Sequence, residues 1–78
     1  MRKEIRAFIS DNFFVDGFAD DASFLQSGII DSTGMMEFVA FLEKSFQIRI
    51  DDTELLPQNL DSLDAVCSFV ERKRSQVA

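Results

Sequence analysis

The 78-residue chain has no histidine, no tryptophan and no tyrosine, and it has one cysteine and one proline. Each scarcity removes a class of chemistry. Without histidine there is neither the commonest general base nor the commonest zinc ligand, so Ser-His hydrolysis and metal-dependent catalysis become poor readings. The lone Cys67 cannot close an internal disulfide and reads as a small core residue rather than a reactive thiol. Three glycines and one proline argue against a disordered tail. No apolar run approaches the ~20 residues of a membrane-spanning helix, so membrane insertion is not expected. The start Met1-Arg2-Lys3-Glu4-Ile5-Arg6 leads into an amphipathic stretch rather than a secretory signal. A cytoplasmic location is the expectation.

What is present suits one small domain spanning residues 1–78. A chain this short hides only about 60% of its unfolded surface on folding. Nearly every apolar residue must therefore serve one core, and nine phenylalanines make that core bulky. The net charge of −6 is unevenly spread. Residues 1–10 and 65–78 each carry +2, whereas residues 11–64 hold twelve acidic side chains against Lys44 and Arg49, a balance of −10. An acidic centre repels nucleic acid and attracts partners with basic docking surfaces, at a rate that falls with salt.

Ile5, Phe8, Ile9 and Phe13 recur at helical spacing and predict a first helix over residues 2–14. From Val15 to Asp31 the periodicity fades, and Gly17, Asp20, Asp21, Ser23, Ser27 and Gly28 supply turn chemistry. The apolar residues within it, Phe18, Phe24, Leu25, Ile29 and Ile30, predict a functional loop packed onto the helices rather than a linker. Asp31-Ser32 reads as the start of a second helix with the core stripe Met35, Phe38, Val39, Leu42 and Phe46, running to about Ser45. Its other side is unusual, because Met36, Ala40 and Phe41 add apolar surface around Glu37 and Glu43. Such a helix is either deeply buried or meets another protein.

Gln47-Ile48-Arg49-Ile50 alternates like a strand but has no partner, so an extended connection is expected. Asp51-Asp52-Thr53-Glu54 looks like a helix start, and Pro57 limits that third helix to about a turn. The same acidic run lacks the spaced ligands and glycine of a calcium loop. Asp61 or Ser62 caps a last helix with the stripe Leu63, Val66, Cys67 and Val70. The expected fold is all-α: three main helices plus a short one, with a long loop between the first two.

Gly28-Ile29-Ile30-Asp31-Ser32-Thr33 closes the long loop, and here the sequence resembles the acyl and peptidyl carrier protein family, in which a G-[ILV]-[ILV]-D-S-L-like motif stands at the same place. The resemblance continues through Glu37–Glu43, Phe46–Ile50 and Leu56–Val66, and spans most of the chain from Phe24 to Val70. It implies an acyl-carrier four-helix bundle and a non-enzymatic, monomeric carrier. A Mg²⁺-dependent transferase would attach 4'-phosphopantetheine to Ser32, and the thiol of that arm would hold cargo as a thioester. Asp31 would cap the helix and contact the transferase. Met36, Glu37 and Glu43 match the face that the family offers to basic surfaces of acyl ligases or synthases, and the apolar Ala40 beside them is expected to join that docking surface. Thr33, Gly34, Lys44 and Ser45 depart from housekeeping fatty-acid carriers and point to a specialised fatty-acid, polyketide or related pathway.

An aminoacyl or peptidyl carrier would share the fold and the serine. An acidic helical adaptor that is never modified would need only the charged and apolar surface. The literal Asp-Ser-Leu of the family occurs at Asp61-Ser62-Leu63, but context favours Ser32, since Ser62 has a sufficient task in capping.

Overall fold

Ile5 and Ile9 are fully buried, and Phe8 and Phe13 pack partly against the same core. In the computed structural model, which describes residues 1–15 and 17–76 (Gln76 by its backbone alone), this stripe is the inner face of α1, Arg2–Phe13. The second apolar stripe forms α2, Ser32–Phe46, with Phe38, Val39, Leu42 and Phe46 buried and Met35 half-buried. The last helix is α4, Leu63–Gln76, which buries Leu63, Val66, Cys67 and Val70 as expected and Phe69 besides. It packs on both long helices and on the short α3, Pro57–Leu60. Among the described residues the fold is all-helical, three main helices and a short one.

The short helix lies later in the chain than the sequence suggests. Asp52–Glu54 make only a 3-10 turn, and Leu56 is extended at φ −117°, ψ 146°. Pro57 then opens α3 instead of ending a helix. Its fixed φ suits the first helical position, and its missing N–H is one that has no helical acceptor anyway. The Leu60 side chain, 3% exposed, anchors this turn in the core.

Between α2 and the 3-10 turn, Ile48 and Ile50 are buried while Gln47 and Arg49 are exposed, so the alternating pattern is real without any strand. Gln47 turns the chain with φ 54°, and the Glu43 carbonyl accepts the Ile48 N–H at 3.3 Å. The Glu43 carboxylate accepts the Ile50 N–H at 2.9 Å. One residue thus ties the connector to α2 by both its backbone and its side chain.

The loop from α1 to α2 is pinned at several points. Phe24 and Ile30 are buried, and Phe18 and Ile29 pack against the core, whereas Leu25 is exposed. The Phe24 N–H donates to the Asp61 carbonyl at 2.8 Å, the Leu25 N–H donates to the Asp61 carboxylate at 3.0 Å, and Ser23 Oγ donates to the same carboxylate. Arg2 bridges Asp20 at 3.1 Å and Asp64 at 2.6 Å. Arg6 also pairs with Asp20 and lies over the Phe18 ring, 4.4 Å from its centroid.

The rings form a continuous chain through the middle of the molecule. Phe18 meets Phe24, Phe24 meets Phe38, Phe38 meets Phe8, and Phe8 stacks on Phe41 with centroids 4.0 Å apart. Phe46 extends the chain beyond Phe41, and Phe13 branches from Phe8. Phe14, with its ring 90% exposed, stands outside this network.

Candidate functional site

The start of α2 is built by Asp31. Its backbone is extended, and Oδ1 accepts the Gly34 N–H at 2.6 Å, a helix cap that satisfies one of the four N–H groups without a helical acceptor. The Met35 N–H donates to the Asp31 carbonyl at 2.8 Å and closes the first turn. Ser32 is therefore the first helical residue and not the cap, and both Ser32 and Thr33 are exposed.

Gly34 explains one departure noted in the sequence. A Cβ at this position would lie 2.6 Å from Phe13 Cε1, 3.1 Å from Asp31 Oδ1 and 3.4 Å from Ile30 Cγ2. The ring at the end of α1 occupies the place of a side chain on α2. A glycine in a helix costs about 1 kcal/mol relative to alanine, and here it allows the two helix ends to meet.

At the corresponding place on α4, Ser62 Oγ accepts the Ala65 N–H at 3.1 Å, so this serine is the cap. Asp61 faces the other way and holds Ser23 and Leu25. Of the two candidate caps named from sequence for this helix, Ser62 does the capping.

Along α2, Met36 is 60% exposed, and Glu37 and Ala40 are exposed beside it. Phe41 does not belong to this surface, because its half-buried ring stacks on Phe8. Glu43 is half-buried and turned toward the Ile50 N–H, which gives it a structural task of its own. No Lys or Arg occurs between Arg6 and Lys44, while Asp31 and Glu37 stand exposed in that interval.

One helical turn beyond Ser32, Met35 forms part of an apolar cleft of ≈ 180 Å³ with Leu25, Leu55, Leu56, Pro57, Leu60 and Asp61. Its interior is on the scale of the ~150 Å³ apolar cavity that accepts a benzene. Phe38 and Leu42, further along α2, lie in the ring-filled core at 0% exposure. Burial pushes the Cys67 thiol up from its ordinary value, so the chain's own sulfur is held as an inert thiol.

The family profile described as the phosphopantetheine attachment site matches residues 3–70. The chain belongs to the phosphopantetheine attachment family. No curated protein matches it significantly. As a member, it is a carrier rather than a catalyst, and its cofactor is covalently attached 4'-phosphopantetheine. It works with a phosphopantetheinyl transferase and with synthase or ligase enzymes as a class. The unmodified adaptor falls away as a reading. Among the described residues no helix is long and apolar enough to cross a membrane.

Three residues of this region have parts that sequence reasoning did not assign. Asp61 pins the loop that delivers Asp31-Ser32, Gly34 admits Phe13, and Phe14 adopts a left-handed backbone at φ 57° with its ring in solvent. Only Gly34 carried a signal, since an isolated glycine early in a helical pattern often marks close packing.

Proposed function

We propose that Ser32 bears the phosphopantetheine arm and that the carrier presents acyl intermediates to partner enzymes through the exposed face of α2. The observation that carries this reading is the division of labour at the helix start. Asp31 does the capping, which leaves the Ser32 hydroxyl exposed at the first helical position. The N–H groups of Ser32 and Thr33 have no helical acceptor. A phosphodiester on Ser32 would sit by those groups and by the positive end of the helix dipole, worth roughly 0.3–1 kcal/mol. When bound, the arm supplies a thiol that holds cargo as a thioester; the chain's own residues position it and offer the docking surface.

The cleft at Met35 favours an acyl cargo over an aminoacyl one. Its lining is apolar apart from Asp61, whose carboxylate is already engaged by the loop, and the core behind it is filled by phenylalanines. A short apolar chain finds burial there, whereas an ammonium group finds no uncommitted carboxylate in the lining. A specialised fatty-acid, polyketide or related pathway, served by its own ligase or synthase, fits this reading.

Met36, Glu37 and Ala40 are the proposed docking residues, with Glu43 at the edge and Asp31 toward the transferase. Glu37→Lys should slow transfer to or from a partner at low salt while changing stability by less than about 0.5 kcal/mol. Mass spectrometry of the carrier purified from its own cells would identify the thioester. An acyl mass on the arm supports the reading, and an aminoacyl or peptidyl mass replaces it with the second type of carrier.

A further inference from the structure

Phe14 is the one phenylalanine whose ring makes no contribution to the core. It is 90% exposed, and it follows α1 directly with φ 57°, ψ 47°. That left-handed backbone is uncommon for any residue but glycine, asparagine or aspartate, and a bulky side chain there is an outlier. The backbone is thus unfavourable for stability, and the ring, which stays in water, gains nothing from folding that would offset it. Among the described residues no packing contact offsets that cost.

Its location is set by its neighbour. The Phe13 ring occupies the place of a Cβ at Gly34, against the first turn of α2, and it makes a T-shaped contact with Phe8, centroids 6.1 Å apart. Phe13 therefore holds the end of α1 against the turn that begins at Ser32. Phe14 follows at once, so its exposed ring belongs to the same end of the molecule as the exposed Ser32 hydroxyl. The surroundings are acidic: Asp11 and Asp31 are exposed, and no basic residue occurs from Ala7 to Glu43. Arg2 and Arg6, nearest along the chain, are committed to Asp20 and Asp64.

We propose that Phe14 is a docking residue for the phosphopantetheinyl transferase, inserting into an apolar pocket rimmed by Lys or Arg on that enzyme. The charge pattern selects this occupant. An aromatic anchor surrounded by carboxylates complements an apolar hollow with a basic rim, and a transferase must approach the Ser32 hydroxyl closely. A second copy of this chain would set one acidic end against another. The proposal rests on Ser32 as the attachment point.

The test compares wild type, Phe14→Gly and Phe14→Leu as apo-proteins with a broad-specificity transferase, coenzyme A and Mg²⁺. It reads kcat/KM for the carrier, the modified serine by peptide mass mapping, the Tm and the sedimentation coefficient. Removal of an aromatic anchor should lower kcat/KM about tenfold in Phe14→Gly, while glycine, free to adopt the left-handed backbone, leaves Tm equal or higher. Phe14→Leu should stay within about threefold of wild type, because leucine keeps most of the apolar contact. A Phe14→Gly rate within twofold of wild type, with Ser32 modified, overturns the proposal and leaves the attachment point standing. A loss of both rate and Tm overturns it in favour of a structural ring. A wild-type dimer that Phe14→Gly dissolves at unchanged rate overturns it in favour of self-association. Modification found on Ser62 removes its foundation instead.

Discussion

The chain contains the dipeptide Asp-Ser at two helix starts, and the two are used in opposite ways. At Asp31-Ser32 the aspartate caps α2 and the serine follows as its first helical residue, exposed. At Asp61-Ser62 the serine caps α4, and the aspartate lies one position outside the helix, bound to the preceding loop. The register differs by one residue. Leu63, which completes the family-like letters Asp-Ser-Leu, is a fully buried core residue, whereas Thr33 is exposed. The same two letters thus carry different geometry, and the register of the cap decides whether the serine is exposed at the helix start or bound to the chain's own backbone.

The largest expected effect falls on the aspartate outside the helix. Asp61→Ala removes the acceptor of both Ser23 Oγ and the Leu25 N–H, and should destabilise the fold by about 1–3 kcal/mol. Chemical denaturation would measure it, and faster amide exchange at Leu25 would show that the loop has loosened. Asp31→Ala removes a single cap interaction and should cost only ~1 kcal/mol. Equal losses at the two aspartates would break the comparison.

Gly34 sharpens it next. Gly34→Val would place a branched side chain against Phe13 and should cost about 1–3 kcal/mol by crowding. In Gly34→Ala the gain of about 1 kcal/mol in helix propensity should roughly offset the contact with a half-buried ring that can shift. Denaturant midpoints for the two variants check this directly. Valine and alanine behaving alike would mean that the Phe13 seat is not tight.

The smallest effect tests a region outside both helix starts. Glu54 accepts the Asp51 N–H at 3.0 Å and pairs with Lys73 Nζ at 2.9 Å. The backbone hydrogen bond first, and the lysine second, hold its carboxyl below the ordinary glutamate value. Since the unfolded chain takes up this proton first, stability is fully present above the ordinary glutamate range and declines as pH falls toward the lowered folded value. Glu54→Gln should flatten that acid decline by less than about 1 kcal/mol, the usual range of a partly exposed pair. Thermal melts from neutral to acid pH would read it.

The three long helices were legible because Ile5–Ile9, Phe38–Leu42 and Leu63–Val70 repeat at helical spacing. The Ser32 neighbourhood was legible because Gly28, Asp31 and Ser32 punctuate the end of one segment and the start of another. Pro57 misled in one respect, since the same φ restriction that ends a preceding helix also suits the start of the next. Phe41 sits among outward-facing residues by spacing, and only the position of Phe8 on α1 shows that its ring is taken. Asp61 and Phe14 could not be read from local pattern, because one acts on a loop 36 residues earlier and the other depends on how α1 ends against α2.

The central claim concerns which serine bears the arm, and intact-mass measurement after reaction with transferase and coenzyme A tests it most directly. Ser32→Ala should show no added phosphopantetheine and a stability within about 0.5 kcal/mol of wild type. Ser62→Ala should be modified completely while losing typically ~1 kcal/mol through its missing cap. A mass shift that survives Ser32→Ala and vanishes in Ser62→Ala would contradict the account.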